Sequence, residues 1–320
     1  MTILNILSTS IFGFFSLSFA LILIFSLYDY FRSKRLNIDK YPKISFVIPC
    51  FNGGAIISDT VSRIYESYPD LDLIIVNDGS TDNSLQLLKN LKNKYGFEII
   101  NNEENLGKVN SVNKAIKYSK NDFVFVIDVD CKVNSLCLNE AIARLLANKR
   151  IGAVSCRYDL KKTNFWSIMQ RIEYNMTSII QGSYNIFSVP ALWGGCMGFK
   201  REVLEELNGF KLEAITEDID IAFRSILKGY KVEQCWNSCI TQAPEGLKKW
   251  WQQKKRWAGG NLQCMINYPK VWIKNPIYVI FVLSFVFMIF FGIINFFVGG
   301  NYYLNIYDEY VILSEEKNFF

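Results

Sequence analysis

Two carboxylates separated by one residue, Asp128 and Asp130, follow the apolar run Phe123-Val124-Phe125-Val126-Ile127. Ionised carboxylates cannot stay unpaired inside such a run, so they belong at its carboxyl end. On an extended chain, residues two apart point to the same side, one pleat repeat from each other. Like charges held that close favour a divalent cation or a bound cationic group. Alone, a short Asp-x-Asp fits a solvated strand end or a turn as well, so its neighbours decide. Asp78, in Asn77-Asp78-Gly79-Ser80, is an acid suited to hydrogen bonds with a base or ribose. Lys108, in Asn105-Leu106-Gly107-Lys108, is a cation suited to phosphate. An acid, a cation and a metal-binding pair on one rim make a site for a nucleoside diphosphate.

Two clusters lie downstream. Ile215-Thr216-Glu217-Asp218-Ile219-Asp220-Ile221 sets acids among apolar residues at an expected helix start, where the helix dipole favours them. The chain contains no His, which excludes Ser-His-Asp and Cys-His mechanisms and Cys/His zinc sites. A carboxylate is therefore the natural candidate for a general base. In Trp250-Trp251-Gln252-Gln253-Lys254-Lys255-Arg256-Trp257, helical spacing gathers Leu247, Trp250, Trp251, Trp257 and Ala258 on one face. Lys248, Lys249, Lys254 and Lys255 fall elsewhere. A Trp-faced basic helix is by default interfacial, and the open question is whether Gln253 and Arg256 also face the site.

The elements that must position these residues alternate. Strands are expected at 44–49, 71–76, 97–100, 123–127 and 152–156, and helices at 56–64, 82–95 (Ser80 or Thr81 as N-cap) and 107–118. Strands separated by helical patterns of this length mean an α/β, doubly wound, mostly parallel sheet. In such a sheet, ligands bind at the carboxyl ends of the strands. No Walker A or GxGxxG sequence is present.

Half of the 320 residues are hydrophobic, which suffices for one sizeable core plus membrane segments, and a net charge of +5 gives no reason to expect a nucleic-acid partner. The eight Cys lack paired spacing and read as reduced core residues of a cytosolic domain. Residues 3–28 are uncharged through Tyr28, long enough to span a bilayer, and followed at once by Arg32, Lys34 and Arg35. A second apolar stretch, 276–298, follows Lys270 and Lys274 and precedes a polar tail, 299–320. The positive-inside rule then makes this a multi-pass integral membrane protein with its middle in the cytosol. The expected domains are a first span at 3–28, a catalytic domain at 41–246, an interfacial helix region at 247–275, a second span at 276–298 and the tail.

The ordered set resembles the membrane-bound family 2 glycosyltransferases of the GT-A fold, the group of poly-N-acetylglucosamine, hyaluronan, chitin and cellulose synthases. The resemblance runs from about Lys43 to Pro276. It is carried by Val47-Ile48-Pro49-Cys50-Phe51-Asn52, Asn77-Asp78-Gly79-Ser80-Thr81-Asp82, Asp128-Val129-Asp130, Thr216-Glu217-Asp218 and Gln253-Lys254-Lys255-Arg256-Trp257. It implies that Asp78 contacts the nucleobase, Lys108 and Asp128 the nucleotide, and Asp130, with Asp128, a divalent Mg or Mn ion. It also implies that Asp218 is the base and that Gln253, Arg256 and Trp257 hold the diphosphate and acceptor. Gly194 to Gly198 resembles the family's acceptor-side loop. The implied reaction is inverting transfer from a nucleotide-sugar, with a UDP-sugar such as UDP-GlcNAc the expected donor, to a growing polysaccharide.

The sequence departs from the family after the Gln-x-x-Arg-Trp motif, where a single apolar stretch follows instead of several. Two helices cannot enclose a polysaccharide channel without a homo-oligomer or a partner membrane subunit. A membrane-lipid acceptor, as for ceramide glucosyltransferases, needs no channel. A third reading is a non-catalytic membrane subunit, against which the intact Asp128, Asp130 and Asp218 argue.

Overall fold

The structure is a computed structural model and describes residues 2–68, 70–160, 164–244, 246–273 and 279. In chain order the elements are α1 (Thr2–Ser33), β1 (Ile44–Cys50), α2 (Ile57–Ser67), β2 (Leu71–Asp78), α3 (Ser84–Tyr95), β3 (Glu98–Asn102) and α4 (Lys108–Tyr118). They continue with β4 (Phe123–Ile127), α5 (Ser135–Ala147), β5 (Ile151–Leu160), α6 (Phe165–Tyr184), β6 (Cys196–Lys200) and α7 (Arg201–Glu206). Last come α8 (Glu217–Leu227), β7 (Lys231–Thr241), α9 (Leu247–Asn267) and α10 (Lys270–Ile273).

One seven-stranded sheet has the order β3-β2-β1-β4-β6-β5-β7. All its pairings are parallel except those of β6, which runs against both β4 and β5. The expected α/β sheet is therefore present, with one reversed strand. That strand, β6, occupies most of the stretch expected to be a loop at 194–198, and only Gly194 and Gly195 remain outside it. The parallel register aligns Val47 with Ile74 on one side and with Val126 on the other, so β1, β2 and β4 end on a common rim.

Alternation sets the layers. Phe46, Ile48, Phe125 and Ile127 share one face and pack with Ile57, Val61 and Ile64 of α2 and Leu138, Ile142 and Leu145 of α5. On β1 and β2 the sheet also packs against α4, through which Val112 and Ala115 are buried. Both faces are thus covered, which is why β4 reads as an unbroken apolar run. Burying one such side chain contributes about 1.5–3 kcal/mol. All eight cysteines are free and buried, as expected of core residues.

The chain divides into two compact units, one of 1–22 with 276–320 and one of 23–275. Helix α1 begins in the first and ends in the second. Among the described residues, Gly13–Ser33 is the one helical stretch long and apolar enough to cross a membrane. The expected second span and polar tail lie outside the described residues, apart from residue 279, so multi-pass topology is not supported.

The sequence did not signal how the end of α1 is fastened. Asp29 is buried, and its Oδ2 accepts from Arg144 Nη2 at 3.0 Å, Asn185 Nδ2 at 2.7 Å and Trp236 Nε1 at 2.9 Å. Arg144, fully buried, also donates to Glu140 Oε1 at 2.9 Å and Glu233 Oε2 at 2.8 Å. Arg32 reaches the same Glu233 oxygen at 2.5 Å. Buried charges persist only when paired in this way.

Candidate active site

A cavity of about 860 Å³ opens at the sheet rim. Of the eight expected site residues, Lys108, Asp128, Asp130, Asp218, Gln253, Arg256 and Trp257 line it. Asp78 does not. It is buried, and its Oδ1 accepts from Asn102 Nδ2 at 2.9 Å and from Leu106 N at 3.0 Å. It thereby fixes the loop that leads to Lys108.

The neighbouring loops brace one another. Asn52 N donates to Ser80 Oγ at 3.0 Å, Thr81 N to Asn52 Oδ1 at 2.9 Å, and Gly54 N to Asp82 Oδ2 at 3.0 Å. These bonds occupy the residues expected to cap the following helix. Helix α3 accordingly starts later, at Ser84, with no side-chain bond from its cap position.

Strand β4 ends at Ile127, opposite Cys196. Asp128 N still donates to Gly195 O at 3.0 Å, after which the chain turns and Cys131 N donates to Asp128 O at 2.9 Å. Asp128 and Asp130 therefore sit on a turn, not on the extended chain expected for them. Thr60 of α2 secures that turn by donating to Val129 O at 2.7 Å. Burial, and then the Asp128 charge, raise the Asp130 carboxyl above its ordinary value.

Lys108 Nζ lies 2.6 Å from Asp128 Oδ1 and 2.8 Å from Glu217 Oε1. Burial alone would lower its pKa, but the two carboxylates outweigh burial and raise it. Glu217 and Asp218 open α8, where the helix dipole favours acids. Desolvation, joined by the Glu217 charge, pushes Asp218 up to about 6. Asp218 Oδ2 accepts from Gly194 N at 3.1 Å, and a Cβ on Gly194 would stand 3.0 Å from that oxygen. Any larger residue there would have to push the Asp218 carboxylate by a few tenths of an ångström.

Helix α9 closes the cavity. Its Gly260 lies against Thr216 so tightly that a Cβ there would meet Thr216 Oγ1 at 2.1 Å. The expected single Trp face is split in two. Trp251 and Leu247 are exposed, at 63% and 57%, whereas Trp250 packs against Trp166 and Trp257 against Tyr174. Lys254, expected away from that face, lies within it, with Nζ 4.2 Å from the Trp257 ring centre and 2.5 Å from Glu173 Oε2. Gln253 Oε1 accepts from Gln170 Nε2 at 2.9 Å. Arg256 lines the cavity, and its charge acts on both Glu217 and Asp218.

Sequence reasoning missed the aromatic wall of Tyr158, Tyr174 and Trp193, whose ring centres lie 4.9–5.4 Å apart. It also missed Gln170 and the role of Glu217. The i,i+4 pair Gln170/Tyr174 on an amphipathic α6 was the available signal. The partner residues lie on other elements, which no local pattern reveals.

The sequence and the fold of this chain find counterparts in known proteins. The sequence profile of Glycosyl transferase family 2 matches residues 45–208. A poly-beta-1,6-N-acetyl-D-glucosamine synthase of Staphylococcus aureus (strain COL) is 27% identical over 267 residues, 81% of this chain and 64% of the relative. The synthase of the same description from Staphylococcus epidermidis is 27% identical over 251 residues, covering 76% and 60% of the two chains. The chain thus spans less than two thirds of the length of these relatives. A solved structure of a mannosyltransferase from Pyrobaculum calidifontis, in complex with GDP-Man and Mn2+, aligns with a TM-score of 0.63 at 21% identity. That alignment covers 86% of this chain and 80% of the mannosyltransferase, and it supports the GT-A-like fold.

Proposed function

Because the chain belongs to glycosyl transferase family 2, we propose that it transfers a sugar from a nucleotide donor to an acceptor hydroxyl, with inversion, in the cavity at the sheet rim. The observation that carries this reading is the convergence of Lys108, Asp128, Asp130, Asp218 and Arg256 on one cavity from four separate segments of the chain.

The acceptor hydroxyl needs a base, and Asp218 is suited to that role. Its pKa near 6 leaves it ionised at neutral pH yet basic enough to take a proton in the transition state. Gly194 N fixes the Asp218 carboxylate from one side. Lys108 and Arg256 supply positive charge where the leaving diphosphate gathers negative charge, the kind of interaction that strengthens most in the transition state. The aromatic wall with Trp257 offers flat faces to an acceptor sugar ring, while Gln253 provides a hydrogen-bonding group beside it. Asp78 holds the loop before Lys108 and stands at the rim proposed for the nucleobase.

The rim residues fit a divalent cation. Among the described residues no cluster of three acids, cysteines or histidines converges, and Asp128 and Asp130 would be the carboxylates that line the cavity for the ion. One or two carboxylates completed by substrate phosphates suit Mg or Mn. Asp128 already draws a cation, the Lys108 ammonium at 2.6 Å, so positive charge is accommodated at this acidic pair. Asp128 and Asp130 would hold the ion, whose chemistry is to offset charge on the departing diphosphate.

By likeness to the staphylococcal synthases, the donor is taken to be UDP-GlcNAc and the product a β-linked polymer. A membrane lipid is the second acceptor reading. It is favoured by Phe165, Ile168, Met169, Ile172, Met176 and Ile179, which are exposed on α6, one of the helices that line the cavity. Attachment is proposed through α1, with the catalytic unit in the cytosol and a second copy or partner subunit completing any channel. The test is incubation of membranes containing the chain with labelled sugar nucleotides, with and without a chelator, followed by separation of lipid-soluble from polymeric product. Absence of transfer from every donor would refute the enzyme reading, and transfer unaffected by the chelator would refute the metal.

A further inference from the structure

Glu217 has no part in the reaction sketched above, yet it shares an ammonium group with a residue proposed to hold the cation. Lys108 Nζ bridges Asp128 Oδ1 at 2.6 Å and Glu217 Oε1 at 2.8 Å. The Glu217 side chain is 14% exposed, against 32% for Lys108 and 30% for Asp128. Lys108 is the first residue of α4, its backbone fixed at the rim after Gly107, whose φ is 86°. Its four-carbon stem is free to redirect the charge while the backbone stays in place. Asp128 stands at the end of β4 and Glu217 at the start of α8, so the two carboxylates are anchored on different elements.

A cation 2.6 Å from Asp128 occupies the place a divalent ion would need. Two cations cannot share that oxygen closely, since their repulsion amounts to several kcal/mol at about 4 Å near a protein surface. Arrival of a divalent ion at Oδ1 would therefore turn Lys108 off that oxygen. With no second anchor, the freed ammonium would return to water. With Glu217 in place, it stays in the cavity.

We propose that Glu217 is a positioning residue that retains Lys108 in the cavity when a divalent ion takes over Asp128, so that Lys108 is delivered to the diphosphate. This inference rests on the metal-dependent transfer proposed above. Lys108 and the divalent ion are alternative counter-ions of Asp128, and Glu217 decides where Lys108 goes.

The experiment measures Mn2+ binding to the purified full chain in detergent, from the free-Mn2+ paramagnetic signal, and binding of UDP by calorimetry. Lys108→Met should bind Mn2+ more tightly than the wild type in the absence of UDP, because a competitor is gone, while binding UDP more weakly. Glu217→Gln should weaken Mn2+ binding, by about 10–100-fold if it behaves as other outer partners of metal ligands do, because Lys108 then rests wholly on Asp128. In a Lys108→Met background the same Glu217→Gln change should lose most of its effect. An undiminished effect there would show Glu217 acting directly on the ion or the fold, and would overturn the proposal. Mn2+ binding unchanged or weakened in Lys108→Met would overturn it too. A wild type that binds neither Mn2+ nor UDP would sink the proposed function itself, a different result from either of these. Thermal midpoints of the variants, compared with the wild type, separate a folding defect from a binding one.

Discussion

Gln170 on α6 donates from Nε2 to Oε1 of Gln253 on α9 at 2.9 Å, and the same nitrogen approaches the Tyr174 hydroxyl at 2.5 Å. Gln170 is fully buried, so its amide is held by packing as well as by these bonds. It ties the helix bearing Gln-x-x-Arg-Trp to the aromatic wall of the cavity. Replacement by Leu keeps the bulk and removes both bonds, each with a net value of about 1 kcal/mol. The expected outcome for Gln170→Leu is a folded protein with weakened retention of nucleoside diphosphate and a raised KM for acceptor. Single-turnover rates and product-retention measurements check this, and wild-type values for both would show the tie to be structural only.

Asp218 sets the acid limb of the pH profile. Its pKa is raised to about 6 by desolvation and the Glu217 charge. A base must be ionised to act, so activity should fall as pH drops through about 6, not through the ordinary carboxylate range near 4. The stability effect has the opposite sense. A carboxyl whose folded pKa exceeds its unfolded one favours the folded state while protonated, and that stability is lost as pH rises from about 4 to about 6. Asp218→Asn should therefore melt no lower than wild type at pH 7. It should still lose about 10²–10⁴ in rate with nucleotide binding retained. Parallel melting, binding and rate measurements decide the matter.

Arg256 and Lys248 lie on the same helix, but only Arg256 lines the cavity. Arg256→Ala should weaken transfer and loosen the bound nucleoside diphosphate. Lys248→Ala, at an exposed position, should change either by little. Equal and mild effects at the two positions would remove Arg256 from the site and leave α9 as a surface helix.

Arg144 is fully buried between Asp29, Glu140 and Glu233. Arg144→Met would leave these carboxylates with fewer cations than they need. Breaking a buried pair from one side costs about 3–5 kcal/mol, whereas Lys92→Ala, at an exposed pair with Glu98, should cost about 0–1 kcal/mol. Denaturant unfolding of the full chain in detergent should show a large drop in midpoint for the first and a small one for the second. A mild effect at Arg144 would mean that Arg32 and Lys231 suffice to neutralise the cluster.

Much of this protein was legible in its sequence because local rules govern it. An unbroken Phe-Val run ending in Asp-Val-Asp suits a strand covered on both faces with its acids at the rim, and the neighbouring segments favour that reading. Acids after Thr216 mark a helix start, since the dipole there attracts them. The absence of His directs attention to carboxylates. These features depend on residues close in sequence, whose period and chemistry survive without a fold. Local rules stop governing where the outcome depends on what the chain meets. Ser80 and Thr81 were available as caps until Asn52, 28 and 29 residues earlier, engaged them. Asp128 and Asp130 were placed on an extended chain, but the bond from Cys131 N to Asp128 O closes a turn there and Thr60 secures it. Gly194 to Gly198 was expected to be a loop, but between β4 and β5 it mostly becomes a strand running the other way.

The sequence by itself determined the strand-and-helix alternation, the carboxylate rim, the acid-led α8 and the apolar α1, all fixed by spacing and polarity. Only the tertiary structure decided which charge faces which. It set Lys108 between Asp128 and Glu217, turned Lys254 onto Trp257, and closed Arg144 over Asp29, a residue 115 positions away. The physical reason is that an ion pair depends on distance in space, and folding brings together carboxylates and cations that no periodicity along the chain connects.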